Sequence, residues 1–147
     1  MYDRILVPTD GSDQSERAFE QALDLALTYD AELHLLNVVD VSALAGEFDA
    51  VTVVDSLEES GRQLTHRLRD RAEEAGVETV ETLVREGVPY STILDYADDN
   101  DVDLVVMGTH GRTGLDRYLL GSVTERVVRK SDVPVLTVRG ESDRDDA

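Results

Sequence analysis

The chain of 147 residues contains no cysteine. Disulfides and thiolate metal sites are therefore excluded. Lysine is nearly absent too: of 14 Lys+Arg residues, only Lys130 is lysine. Acid outweighs base, with 32 Asp+Glu and a formal net charge of -18. Such a surface repels nucleic acid and anionic lipid, which are bound largely through cationic contacts. Neither is an expected partner. No stretch reaches the roughly 18 apolar residues of a membrane span. The opening MYDRILVPTD has no basic n-region and no apolar h-region. The expected location is the cytoplasm. Two common phosphate motifs are also missing. No Gly-Lys pair exists, which removes G-x-x-x-x-G-K-[ST], and no G-x-G-x-x-G follows the first strand.

What is present is a foldable pattern. The chain is 41% apolar, in patterned blocks, which argues against a disordered acidic polymer. One domain over residues 1–140 is expected, with an acidic, disordered tail over 141–147. The charge excess fits the salt-rich cytoplasm of a halophilic organism. At about 1 M salt the Debye length falls to roughly 3 Å, and self-repulsion becomes tolerable.

Arg4 to Pro8 reads as a first strand, followed by Thr9-Asp10-Gly11-Ser12 turn chemistry. Asp13 with Glu16 forms a capping-box pattern for a helix whose Ala18, Phe19, Ala22, Leu23 and Ala26 recur at helical spacing. Tyr29-Asp30-Ala31 ends it. Leu33 to Val39 is apolar at nearly every position, as expected of a strand covered on both faces. A long polar helix from about Thr52 to Ala75 has Leu57, Leu64, Leu68 and Ala72 as its seam, with Gly76 as its C′ residue. Val77 to Val84 is a third strand. Pro89 opens a third helix, with Tyr90, Ile93, Leu94 and Ala97 facing inward. Asp103 to Met107 is a fourth strand. Ser122 opens a helix that turns Val123, Val127 and Val128 to the core. Val133 to Val138 is a fifth strand. Strictly alternating strands and helices imply a parallel sheet with helices on both faces. Its ligands bind beyond the C-terminal strand ends, where strand order reverses.

The distinctive stretch follows the fourth strand. Gly108, Gly111, Gly121 and Ser122 spell G-x-x-G-x(9)-G-S. Glycines let backbone N–H groups approach an anion, and the helix start supplies open donors and a partial positive charge. Each residue also has a plainer reading. Ser122 with Glu125 matches a capping box. Asp10 matches a cap of the first helix, and Gly114 a turn residue. His110 forms no triad with any other residue, so its side chain is expected to face solvent or backbone. Arg112 and Arg117 match surface arginines, and Arg112 is the better phosphate candidate. His34 and His66 are too scattered for a metal site.

Gly108-Thr109-His110-Gly111, nine residues, then Gly121-Ser122 resembles the nucleotide-binding signature of the ATP-binding branch of the universal stress protein family. Ile5 to Asp10 resembles that family's opening strand and acidic residue. Leu36-Asn37-Val38 resembles its second strand end, and Ser131 to Leu136 its closing strand. The resemblance implies an α/β, three-layer open parallel sheet of five strands in the order 3-2-1-4-5, of the adenine nucleotide alpha hydrolase-like type. It implies ATP, or an ADP- or AMP-type nucleotide, in the crevice. Pro8, Thr9 and Asp10 would line the ribose and phosphate side, Asp10 through a ribose hydroxyl or nucleotide-bound Mg²⁺. Val38 and Met107 would meet the adenine. Gly108, Thr109, His110, Gly111, Arg112, Gly121, Ser122, Val123 and Thr124 would surround ribose and phosphates. It also implies a homodimer through strand Val133–Val138, an apolar edge with no charge to blunt it.

Three functions follow. A regulatory protein in stress response would hold the nucleotide and use its occupancy as a signal to protein partners. A slow ATPase or phosphotransferase would use Asp10 and Arg112 electrostatically, without a clear water-positioning residue. A nucleotide-free interaction module would use the acidic surface, and the intact glycine pattern argues against it. The first is the leading expectation, with no catalytic residue assigned.

Overall fold

Alternation of strand and helix decides the topology. The computed structural model describes residues 1–42, 50–110 and 120–140. The expected tail over 141–147, and Gly111, Arg112, Gly114 and Arg117, lie outside the described residues. The elements run β1 (Arg4–Pro8), α1 (Asp13–Tyr29), β2 (Glu32–Val39), α2 (Ala50–Ala75), β3 (Val80–Glu86), α3 (Pro89–Asp99), β4 (Leu104–Gly108), α4 (Ser122–Lys130) and β5 (Val135–Val138). Every pairing is parallel, and the sheet order is β3-β2-β1-β4-β5, as expected. β1 and β4 are neighbours, with Ile5 opposite Leu104 and Leu6 opposite Val105. The sheet grows outward from this pair in both directions. The C-terminal ends of β1 and β4 therefore flank the point where strand order reverses.

The period-two pleat sorts each strand's side chains between two helical layers. Ile5, Val7, Leu33, Leu35, Leu104 and Val106 pack with Ala18, Phe19 and Ala22 of α1 and Leu68 and Ala72 of α2. Leu6, Leu36, Val105 and Met107 point the other way, against Ile93, Tyr96 and Ala97 of α3 and Val127 of α4. With both faces covered, β4 is buried at every residue. α2 closes at Gly76 and Val77, whose N–H groups return to the Glu73 and Ala72 carbonyls at 3.1 Å each.

Several boundaries differ from expectation. The N-cap of α1 is Ser12, not Asp13; its hydroxyl accepts from the Ser15 N–H at 3.2 Å. Asp10 Oδ1 accepts from the Ser12 N–H at 2.9 Å and so closes the turn one residue early. Glu16 leaves the capping role and takes Arg67 and Arg71 of α2 at 3.1 and 2.9 Å. In α4 the N-cap is Gly121 and Ser122 is already helical, so the expected Ser122–Glu125 box does not form. Glu125 pairs with Arg129 at 3.0 Å instead. Val127 is buried as expected, whereas Val128 is 42% exposed because it lies one position round the helix. Leu57 is likewise exposed. β3 starts at Val80, since Val77 finishes the α2 turn. β5 starts at Val135, since Val133 is held in a local turn by the Ser131 hydroxyl.

Candidate functional site

The switch point is flanked by the N-termini of α1 and α4, and the sequence treats them differently. At α1 the Ser12 side chain and Asp10 occupy amide donors of the first turn and the turn before it. At α3, Pro89 stands in the first turn and has no N–H to offer. At α4 the N-cap is Gly121 in extended backbone, and no side chain caps it. The first backbone bond of the helix runs from the Glu125 N–H to the Gly121 carbonyl at 2.9 Å. That leaves the amides of Ser122, Val123 and Thr124 as the first-turn donors, at the positive end of the helix dipole. This geometry suits an anion.

The approach to α4 is fastened on three sides. The Thr109 N–H donates to the Val138 carbonyl of β5 at 3.0 Å, and the Gly121 N–H donates to the Thr109 carbonyl at 2.7 Å. The Thr124 hydroxyl donates to the Gly108 carbonyl at 2.8 Å. From α1, Gln14 Oε1 accepts from the His110 N–H at 2.5 Å and from the Thr109 hydroxyl at 3.3 Å. The two glycines here answer to this crowding. A Cβ on Gly108 would lie 2.8 Å from Gln14 Cβ and 3.1 Å from its backbone carbon. A Cβ on Gly121 would lie 3.2 Å from His110 Cα and 3.3 Å from the Thr109 carbonyl oxygen.

Across the crevice, Thr9 is buried and consumed by the fold. Its N–H donates to the Leu36 carbonyl at 2.8 Å, its carbonyl accepts from Asn37 Nδ2 at 2.9 Å, and its hydroxyl donates to the Ser15 hydroxyl at 3.2 Å. The hydroxyls of Thr9, Thr109 and Thr124 therefore hold the walls together. Pro8 ends β1 and Gly108 ends β4. Met107 is buried and Val38 half-buried in one apolar cluster, so two apolar side chains from β4 and β2 sit on one face of the sheet. Ser122 is exposed.

Of the two alternatives for His110, solvent is overturned: the residue is 6% exposed, and its Nε2 has no hydrogen-bond partner. The sequence reading missed Gln14 and Ser15, which carry no motif, and gave Asn37 no side-chain role; only the fold brings these side chains beside the switch point. Among the described residues no group of three His, Asp or Glu side chains could hold a metal ion by itself. No helix there is long and apolar enough to cross a membrane.

At the opposite end of the sheet, where the strands begin, lies a second polar cluster. Arg4, Glu32, His34, Glu81, Tyr96 and Asp101 line a cleft of about 350 Å³. His34 is buried, with Nδ1 2.6 Å from the Tyr96 hydroxyl and Nε2 3.2 Å from Glu32 Oε2. Arg4 Nε donates to the same Glu32 oxygen at 3.1 Å. The hydrogen bond from His34, with help from Arg4, holds the Glu32 carboxyl below its ordinary range. Burial, reinforced by the charge of Glu81, pushes the Tyr96 hydroxyl up. The cluster docks α3 onto β2.

Fold and crevice together define a doubly wound α/β protein with an uncapped helix start at its switch point. Residues 1–139 match the model of the universal stress protein family, and the chain belongs to that family. It is 42% identical over 142 residues to universal stress protein MJ0531 of Methanocaldococcus jannaschii, covering 95% of this chain and 83% of that protein. The solved structure of protein MJ0577, from the same organism, superposes with a TM-score of 0.89 at 34% identity, covering 96% of this chain and 98% of the other. A universal stress protein solved in complex with cAMP superposes with a TM-score of 0.69 at 28% identity, covering 95% and 98%.

Proposed function

We propose that this chain is a regulatory protein that binds an adenine nucleotide, ATP or an ADP- or AMP-type relative, in the crevice between β1 and β4. The observation that carries this reading is the start of α4: a glycine N-cap with no capping side chain, placed at the topological switch point. The cAMP complex of a relative supports it. In this reading the amides of Ser122, Val123 and Thr124 hold phosphate. Gly108 and Gly121, and from the sequence pattern Gly111 and Arg112, shape its approach. Val38 and Met107 give the base an apolar seat. Pro8, Thr9 and Asp10 border the ribose, with Thr9 acting through its place in the wall. Asp10 is one carboxylate, and Mg²⁺ bound chiefly by phosphates needs only one or two. A nucleotide-borne Mg²⁺ therefore fits.

The fastened walls suit holding a nucleotide more than turning it over. Occupancy would stabilise the folded state in proportion to the logarithm of nucleotide concentration, and protein partners would respond to that state. The test is to purify the protein without added nucleotide, denature it and chromatograph the supernatant. Bound ATP supports the proposal. ADP with measurable turnover would replace it with a slow ATPase. If nothing is bound, and calorimetry with ATP shows no heat, the chain is an interaction module and the proposal fails.

A further inference from the structure

We infer that Tyr96, His34 and Glu32 form a one-electron donor site: the Tyr96 phenol gives an electron to a neutral or cationic oxidant while its proton crosses to His34. The site lies where the strands begin, at the far end of the sheet from the crevice, and the inference is independent of the nucleotide reading.

The hydrogen positions follow from the partners. Glu32 Oε2 lies 3.2 Å from His34 Nε2 and 3.1 Å from Arg4 Nε. The hydrogen bond from His34, with help from Arg4, holds this carboxyl below its ordinary range, so at neutral pH it is ionised and can only accept. Nε2 therefore carries the hydrogen, and the neutral ring leaves Nδ1 as a bare acceptor. The Tyr96 hydroxyl, 2.6 Å from Nδ1, donates to it. Both Tyr96 and His34 are buried. Burial, reinforced by the charge of Glu81, pushes the phenol up, so it holds its proton until an electron leaves.

Loss of an electron turns a phenol into a strong acid. A phenol radical cation left in a buried site would be an unpaired charge, which is costly. Here a base stands one hydrogen bond away. The Tyr96 O–H bond breaks, an N–H bond forms at His34 Nδ1, and the electron goes to the oxidant. The products are a neutral tyrosyl radical, an imidazolium and the oxidant reduced by one electron. The imidazolium faces the Glu32 carboxylate, and Glu81 and Asp101 line the same cleft, so the new positive charge arises among carboxylates. Arg4 and Arg85 are the cations that oppose it. A small one-electron reductant, such as an enediol, reverses both transfers: the electron returns to the phenoxyl and the proton returns from Nδ1.

Other donors are few. The chain has no cysteine and no tryptophan, the side chains that most often compete with tyrosine for this role. Of its five tyrosines, Tyr118 lies outside the described residues. Tyr2 and Tyr29 stack edge-to-face on each other. Tyr90 carries Arg126 and Lys130 over its ring at 5.0 and 5.2 Å, and two cations there oppose the loss of an electron. Among the described residues, Tyr96 is the tyrosine whose hydroxyl meets a nitrogen base. It also lines a cleft of about 350 Å³ that brings a small oxidant close. The net charge of -18 repels anionic oxidants, which leaves neutral and cationic ones.

Parent protein, Tyr96→Phe and His34→Gln are oxidised with photogenerated tris(bipyridine)ruthenium(III), freeze-quenched and read by electron paramagnetic resonance in ordinary and heavy water. Glutamine offers an acceptor oxygen but does not take up a proton. The parent should give a tyrosyl radical coupled to one exchangeable proton, the Nδ1–H, and heavy water should remove that coupling. Tyr96→Phe should lose this signal. His34→Gln should form it about tenfold more slowly or less, as expected when the proton has no receiver and the barrier rises. A parent without a tyrosyl signal overturns the inference, as does the same signal in parent and Tyr96→Phe. So does a Tyr96 radical that lacks the exchangeable coupling and forms equally fast in His34→Gln. If His34→Gln does not fold, the coupling in the parent decides: its presence supports the site and its absence overturns it.

Discussion

The side-chain carbonyl of Gln14 accepts the main-chain N–H of His110, joining residues 96 apart in sequence at the mouth of the crevice. Gln14 sits in the first turn of α1, so one side chain sets the distance between that helix and the exit of β4. Gln14→Leu keeps the bulk and leaves the part-buried N–H without its acceptor. The expected cost is about 1–3 kcal/mol, read as a lower urea midpoint at unchanged slope. Gln14→Glu, which retains an oxygen at the same reach, should recover most of it. A midpoint unchanged in Gln14→Leu would show that the contact does not brace the site.

The same proximity makes a prediction for Gly108. Its backbone lies so close to α1 that an added methyl group would press on Gln14 Cβ at 2.8 Å and on main-chain atoms just beyond. Main chain cannot swing aside as a flexible side-chain tip can. Gly108→Ala should destabilise the fold by about 1–3 kcal/mol, the usual range for overpacking. Because the strain falls on the walls, nucleotide affinity should drop as well. A variant as stable as the parent would mean that α1 yields freely.

These two contacts mark the boundary of what sequence patterns reveal. The parallel sheet and the two helical layers were legible because strand-helix alternation and runs apolar at nearly every position, such as Leu33 to Val39, are local properties, whereas the strand order came from the family resemblance. The position of the glycine stretch after β4 was legible for the same reason. Ser122 does open α4, but the caps were misread by one residue, Ser12 capping α1 in place of Asp13 and Gly121 capping α4 in place of Ser122. Cap choice depends on which neighbour takes the first amides, and at α1 Asp10 takes one of them. The burial of His110 and the part played by Gln14 were not legible. They arise from α1 meeting the end of β4, and no spacing along the chain encodes that meeting. The threonine hydroxyls illustrate the same limit: Thr9, Thr109 and Thr124 occupy site positions by pattern, while their hydroxyls bond within the fold.

At the other end of the sheet, pH should act through Glu32. Its carboxyl titrates below the ordinary value of 4.5 in the folded state because it accepts from His34 and Arg4. A lowered carboxyl stabilises the fold at pH above the unfolded value, and that contribution is lost as pH falls through the folded one. The side chain is 37% exposed, so solvent keeps the effect small. Glu32→Gln can still accept from both partners but cannot ionise. Its urea midpoint should fall less steeply than the parent's between about pH 6 and about pH 3, the range over which a carboxyl protonates. Parallel curves for the two proteins would remove Glu32 from the acid response.

The net charge of -18 predicts a dependence on salt. Acidic groups held together by the fold repel one another, and the unfolded chain relieves that repulsion by expanding. Raising KCl from about 0.15 M to about 1 M shortens the Debye length from about 8 Å to about 3 Å. The thermal midpoint should therefore rise over this range and continue to rise into molar KCl. A flat or falling midpoint would show that the acidic surface is not balanced by salt, and would count against a salt-rich origin.

The two edges of the sheet are unlike, and the difference predicts an assembly. β3 carries Glu81, Arg85 and Glu86, charges that discourage a further strand. β5 reads Val-Leu-Thr-Val, with no charge, and Leu136 is 38% exposed. One side of β5 is occupied by β4, with Val105 opposite Val135 and Gly108 opposite Val138. Its other side is an edge that a second copy of the chain can cover. A homodimer through β5 would place the β5 end next to Thr109, whose N–H already donates to Val138, so assembly and crevice would share a strand. Light scattering coupled to chromatography should give twice the chain mass at micromolar concentration. Leu136→Lys, which adds a charge to the edge without touching the buried face of β4, should shift the mass to that of one chain. Because the crevice itself is left intact, the monomeric variant should still bind nucleotide, with an affinity change that measures how strongly the edge and the site are coupled. A parent that runs as a monomer would show that this edge is left open.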